Sequence, residues 1–350
     1  MNSAWPSSHI LDTGNGPRQT DGALGARLAA FREIPVIDFA PILGDDLAAR
    51  QVLAELLRQA AQEVGFFYIR NHGVPPGAIT TLFDTAPGFF AQPLAEKMRS
   101  HVSRSSNHSG YTPLLEENVN PAARGDLHEA YDMAAEPPDA PAPKNIWPEN
   151  LPEFRAAMLT YHAHMLTLGR ALFRAFALAL GESEDFFTPC TTRPACTQRV
   201  VHYPSQDGAI DPEQIGIGAH SDYECFTILA QDEVPALQVH NAAGEWIEAP
   251  PIPGTFVVNI GDMMARWSND LFASTLHRAV NTSGRARYSI PFFLGVNEDT
   301  MIDTLPRCIT PERPRRYDPV RADAYVQSRF DATYGYRKVI TRKTLTEDPK

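Results

Sequence analysis

The spacing of apolar positions changes character near Arg199. Before it, apolar residues recur every three or four positions over long stretches; after it, short apolar runs alternate with turn residues. Leu47, Val52, Leu56, Leu57, Ala60 and Val64 predict a helix over 45–64. A second helix is predicted over 78–86, broken at Pro87-Gly88, and a short one over 94–99. Phe154, Met158, Tyr161, Met165, Leu168, Leu172 and Phe176 predict the longest helix, 151–180, closed by Gly181. A last helix is predicted over 321–333. Strands are predicted at 34–39, 66–70, 127–133 and 199–204, and repeatedly within 217–293, where β-branched and aromatic residues dominate. Residues 275–280 and 287–293 read as one hairpin around Ser283-Gly284.

Helices first and hairpin strands later do not make the alternating rhythm of a doubly wound sheet. The order predicts an α+β fold: an antiparallel double-stranded β-helix, or jelly-roll, core with flanking helices. Residues 1–30, with Pro6, Gly14, Gly16, Pro17 and Gly22, read as a mobile arm. Residues 31–341 read as a single domain, with a helical and strand part at 31–150 and the jelly-roll core at 195–300; 342–350 read as a polar tail.

Composition narrows the partners. With 43% hydrophobic and 21% charged residues, the 350-residue chain is globular. Its net charge of −11 argues against nucleic acid and anionic membrane surfaces. No apolar run is long enough to predict a membrane span, and residues 1–18 have no apolar export segment. Cys190, Cys196, Cys225 and Cys308 form no CxxC pair. The expected setting is the cytoplasm, with a small-molecule partner and a monomer or homodimer.

Chemistry concentrates between 216 and 293. On a strand, His220 and Asp222 share a face, and His277 supplies a second imidazole. Two neutral imidazoles and one carboxylate, with positions left open, are the ligand set of non-haem Fe(II) oxygenases. An isolated His-x-Asp is more often a surface pair, but here Arg287 and Ser289 follow, and a guanidinium clamps carboxylates bidentately. His72, beside Gly73, reads as a turn histidine rather than a ligand.

These motifs resemble the iron- and 2-oxoglutarate-dependent dioxygenases of the isopenicillin N synthase-like superfamily. The resemblance runs through 231–233, 237–239 and 253–262, reaches back to 34–38 and 65–73, and covers about 34–335. It implies Fe(II) on His220, Asp222 and His277, and 2-oxoglutarate with its far carboxylate on Arg287, Ser289 and Tyr203. Oxygen is the other co-substrate, and no catalytic residue is expected beyond the metal ligands. The implied reaction, of a kind used in secondary metabolism, splits 2-oxoglutarate into succinate and CO2. It couples this to hydroxylation, desaturation or cyclisation of a small molecule. Two positions depart from common members: Val201 stands where many have asparagine, and Glu224 where many have glycine. Glu224 faces the cavity if the strand alternates, or solvent if a bulge intervenes. Glu129 and Asp132 read equally as pocket wall or solvated rim. Substrate candidates are Tyr111, His128, Tyr131, Tyr223, Glu224, Trp267 and Phe330, each with packing as its alternative role. Competing functions are an oxidase that uses no 2-oxoglutarate, like isopenicillin N synthase itself, and a non-catalytic jelly-roll binding module. A zinc hydrolase would leave Arg287 and Ser289 unexplained.

Overall fold

The structure is a computed structural model describing residues 9–20, 24, 26–28, 34–119, 124–136, 145–206, 208, 210–211 and 214–333. The predicted polar tail, 342–350, lies outside these residues.

Alternation along the strands sorts side chains between two packing partners. Ile228, Ile290 and Phe292 face one way, into a core shared with the helices. Tyr68, Phe66 and Val257 face the other way and pack against Leu237, Val239 and Ile247 of a second sheet. The result is a mixed α+β fold in which a large sheet carries helices on one face and a smaller sheet on the other. The large sheet runs, edge to edge, Val36–Asp38, Phe66–Arg70, Thr255–Ile260, Phe226–Gln231, Arg287–Leu294, Cys196–Tyr203, Glu129–Ala134 and Gly110–Thr112. Only its first two strands pair in parallel. The smaller sheet runs Arg27–Leu28, Trp246–Glu248, Leu237–His240, His277–Ala279 and Ile217–His220.

Helix Pro152–Ala179 is the buttress its spacing predicts, burying Phe154, Met158, Tyr161, Met165, Leu172 and Phe176. Phe173 and Phe176 meet Phe226 of the large sheet at ring distances of 4.8 and 5.2 Å. Among the described residues, no helix is long and apolar enough to cross a membrane.

Three local expectations are corrected. Helix Leu47–Glu63, capped by Asp46, buries Leu53, Ala54, Leu57, Ala60 and Ala61, whereas Leu47, Val52 and Leu56 are exposed. Alanines are weak apolar signals, but they let two helices approach closely. Helix Pro76–Phe90 runs through Pro87 instead of breaking there. Phe89 and Phe90 anchor its last turn, Phe89 stacking on Phe154 at 5.4 Å, and this burial offsets the missing N–H of proline. Within the arm, His9–Thr13 and Gly16–Thr20 form a hairpin rather than a mobile strand of chain. Its turn is held where Asn15 donates to the Asp262 carbonyl at 3.1 Å and accepts from Arg266 at 2.9 Å.

The core also sets an acid limit. His162, on the long helix, is buried beside Phe292, and burial lowers its pKa from 6.5 to about 4. The unfolded chain therefore takes up the proton first. Stability is full above pH 6.5 and lost as pH falls toward 4, by at most about 1.4 kcal/mol per pH unit. Thermal melts between pH 7 and 4.5 are expected to show a shallower acid slope for His162→Gln than for the parent.

Candidate active site

The hairpin predicted across 275–293 does not form. His277–Ala279 pairs with Leu237–His240 and Ile217–His220 in the smaller sheet, while Arg287–Leu294 joins the large one. The chain crosses between sheets at Ser283-Gly284, so His277 and Arg287 face each other across a cavity rather than along one face. Leu237, Ala279 and Ile217 wall it from the smaller sheet; Thr227, Leu229 and Phe293 wall it from the large one.

His220 and His277 lie directly opposite in register, with ring centroids 4.2 Å apart. The strand carrying His220 ends there, and Asp222 sits in the bend that follows rather than on the predicted continuous strand. That bend is pinned from below: Asp262 donates its N–H to the Asp222 carbonyl at 2.8 Å, and Gly261 donates to Cys225 at 2.9 Å. The approach requires glycine, because a Cβ at 261 would fall 2.1 Å from the Glu224 carbonyl. In this way Asp222 reaches the two imidazoles, with Oδ1 3.7 Å from His220 Nε2 and 3.6 Å from His277 Nε2.

Every other polar atom of the trio is occupied. Nδ1 of His220 lies 2.8 Å from the Gly218 carbonyl, and Nδ1 of His277 lies 3.2 Å from that of Thr275. A carbonyl can only accept, so each Nδ1 carries the proton and each Nε2 keeps its lone pair for a metal. Oδ2 of Asp222 accepts from Thr227 at 2.5 Å and from Asn259 at 2.7 Å, which leaves Oδ1 for the same metal. Burial lowers the pKa of His277 to about 4, with His220 adding to the effect. Burial would raise Asp222, but His277, His220, Asn259 and Thr227 together hold it below its usual value. Neutral imidazoles and an ionised carboxylate are what a divalent metal requires. Among the described residues, this trio is the cluster able to hold one.

On the opposite wall, Arg287 is 2% exposed. It donates from Nε to the Val234 carbonyl at 3.1 Å and from one terminal nitrogen to Gln231 at 3.0 Å. Its other terminal nitrogen, Nη1, has no partner among the described residues. No carboxylate pairs with it there, and a buried charge without a counter-ion is costly. Ser289 lies beside it on the cavity wall, and the Tyr203 ring lies 4.8 Å from its guanidinium carbon. Strand register puts Tyr203 directly opposite Arg287. Arg287 thus keeps a donor that no described residue satisfies, on a wall of the same cavity that the metal trio lines.

Comparisons with known proteins agree with this arrangement. Residues 34–150 match the family model described as non-haem dioxygenase in morphine synthesis N-terminal, and residues 194–296 match that of the 2OG-Fe(II) oxygenase superfamily. The 2-oxoglutarate-Fe(II) type oxidoreductase hxnY of Emericella nidulans is 36% identical over 330 residues, covering 90% of this chain and 94% of that one. The chain belongs to the 2OG-Fe(II) oxygenase superfamily. A homoarginine-6-hydroxylase of Glycine max is 38% identical over 296 residues, 79% of this chain and 89% of that one. A full-length Neurospora crassa protein crystallised with alpha-KG and thymine has a TM-score of 0.79 and 31% identity, covering 85% of this chain and 96% of that one. The oxygenase is accordingly an oxidoreductase whose cofactors are Fe(II) and 2-oxoglutarate.

The candidate substrate residues divide. Tyr223, Glu224 and Phe330 line the cavity of the oxygenase. Tyr111, Tyr131 and Trp267 do not; they are core residues. Tyr111 donates to Glu129 at 2.6 Å, Tyr131 donates to the Ile146 carbonyl, and Trp267 packs on Phe187 at 5.1 Å. His128 is buried one layer behind the wall, 2.8 Å from the Gly216 carbonyl and 3.2 Å from Glu117. His72 accepts from the Val74 N–H at 3.2 Å, as a turn histidine should.

Neither Glu129 nor Asp132 is a solvated rim charge, since both are buried. Glu129 pairs with Lys97 at 2.5 Å and His202 at 2.8 Å. Asp132 lines the cavity and lies 3.2 Å from Nε of Arg199, whose two terminal nitrogens grip Glu117. Burial pushes Asp132 up to about 7 against the pull of Arg199. Burial would also raise Glu117, but Arg199 and then His128 hold it far below its usual range. Arg199 was visible in principle: strand alternation back from Tyr203 puts Val201, Arg199 and Thr197 on the same face. Glu117 sits on an irregular loop and gave no comparable signal.

Proposed function

We propose that His220, Asp222 and His277 hold Fe(II), and that Arg287, Ser289 and Tyr203 hold the far carboxylate of 2-oxoglutarate. The observation that carries the co-substrate assignment is the buried Arg287 guanidinium, a lining residue of the cavity with one terminal nitrogen unpartnered and no carboxylate partner among the described residues. The two facing sheets are read as a double-stranded β-helix. Both family-matched stretches feed one cavity, which supports a single catalytic domain over 31–341.

When bound, Fe(II) with 2-oxoglutarate supplies oxygen activation, with loss of CO2 and formation of succinate. The chain positions and shields that chemistry. Asp222 and the two Nε2 atoms converge on one face and leave the rest open. Thr227 and Asn259 lock the Asp222 rotamer, and the two backbone carbonyls lock the rings. Arg287 would hold the far carboxylate of the co-substrate, and Val201 leaves apolar surface beside it where a further polar contact is absent. Leu229, Pro291 and Phe293 keep that wall dry, which strengthens the charge contacts.

The product is a small molecule oxidised at a carbon, with hydroxylation the outcome favoured by the names of the Glycine max relative and its homologues. The second reading, an oxidase that binds a substrate carboxylate on Arg287, predicts oxygen uptake without any 2-oxo acid. Oxygen uptake measured with and without 2-oxoglutarate separates the two.

A further inference from the structure

Val326 and Phe330 of helix Ala322–Thr333 line the cavity. The Phe330 ring lies 4.5 Å from that of His108 and 6.3 Å from that of Tyr223, the neighbour of Asp222, so the helix roofs the site between them. Its start is tied to the chain before it: Ala322 donates to the Thr300 carbonyl at 2.9 Å and Asp323 to that of Glu298 at 3.0 Å. Beyond that tie the helix is thinly anchored. Between 322 and 331, only Ala322 and Tyr325 are buried. A helix with so small a buried face gains little stability from packing. Its remaining polar hold is Tyr325, whose hydroxyl donates to Asp262 at 3.0 Å.

Asp262 joins three elements. Its N–H holds the Asp222 bend, its carboxylate accepts from Tyr325 of the roof, and its carbonyl accepts from Asn15, at the tip of the N-terminal hairpin, at 3.1 Å. Asn15 and the Gly14 carbonyl also accept from Arg266, at 2.9 and 3.5 Å, and the Arg266 guanidinium carbon lies 5.0 Å from the Tyr325 ring. On the second strand of the hairpin, Arg18 donates to the carbonyl of Ser274, whose hydroxyl donates to Asp262 at 2.6 Å. The approach of the tip needs glycine: a Cβ at Gly14 would fall 1.9 Å from the Tyr325 hydroxyl oxygen and 2.9 Å from Asp262 Oδ2. The tip therefore covers the Tyr325–Asp262 hydrogen bond, and a bond kept from water is the stronger for it.

We propose that the N-terminal hairpin is a clasp for this roof: its Gly14-Asn15 tip seals the Tyr325–Asp262 bond, and its release lets helix Ala322–Thr333 move off the cavity about the tie at Glu298 and Thr300. Tyr325 is then a positioning residue, acting on the site through the roof it holds. The open form admits the small molecule, and the closed form keeps water from the reacting atoms. The inference rests on the oxygenase reading of the cavity.

The test uses the full chain loaded anaerobically with Fe(II) and 2-oxoglutarate, as parent, Gly14→Val and Tyr325→Phe. Two rates are read: hydrogen exchange of peptides from 322–333 and 152–179, and loss of iron to the chelator ferrozine. In Gly14→Val the roof helix is expected to exchange about tenfold faster, and in Tyr325→Phe about fivefold faster, while 152–179 stays at the parent rate. Iron loss should quicken in the same order. Tyr325→Phe carries both readings where Gly14→Val does not fold. An unchanged roof helix in the folded variants overturns the inference. So does an equal rise in both helices, which is general loosening, or a faster roof with iron loss unchanged. A parent that retains no iron counts against the oxygenase reading itself, and exchange of the roof helix in the two variants then decides the clasp alone.

Discussion

Asp222→Ala abolishes Fe(II)-dependent conversion of 2-oxoglutarate. The substitution removes the only anionic ligand and strands two donors, Thr227 and Asn259, that now point at nothing. Removing an outer partner of a ligand typically costs about 10–100-fold in metal affinity or activity. Loss of the ligand itself is expected to exceed that, at about a thousandfold or more in succinate release. Iron content after desalting should fall in step, while the protein still melts cooperatively, since the packed core lies on the far side of the large sheet. Turnover at the parent rate in this variant would mean that the metal sits elsewhere.

The second large effect is at Arg287. Arg287→Lys keeps the charge and loses the fork. In the parent, two nitrogens are committed to Val234 and Gln231 while Nη1 stays available. A lysine ammonium has one nitrogen to serve all three directions. The apparent constant for 2-oxoglutarate is expected to rise on the order of a hundredfold, equivalent to a few kcal/mol, with kcat at saturation changing far less. An unchanged constant would point to a substrate carboxylate as the natural occupant of that pocket.

Much of this site was legible in the sequence because its residues sit at fixed spacings on extended chain. His220 with Asp222, and Arg287 with Ser289, are two apart, and such pairs survive errors in strand boundaries. What alternation could not reveal was which sheet each strand joins. The 275–293 segment reads as a hairpin by its turn residues, yet Ser283-Gly284 carries the chain across the cavity. Local turn chemistry is the same in both cases; only burial against the second sheet decides. Tyr111, Tyr131 and Trp267 read as substrate contacts from their sequence positions, whereas their rings pack in the core. Glu117 lay hidden because a loop residue has no periodicity to betray its direction. Alternation leaves Glu224 open between cavity and solvent; it is buried, on a bend pinned by Gly261 and Asp262 rather than along a strand.

Oxygen uptake by the Fe(II)-loaded protein, with and without 2-oxoglutarate, tests the central claim most directly. The account predicts no sustained uptake without the 2-oxo acid, and, once it is added, one succinate formed for each oxygen consumed. Sustained uptake in its absence, with no succinate formed when it is present, would contradict the account.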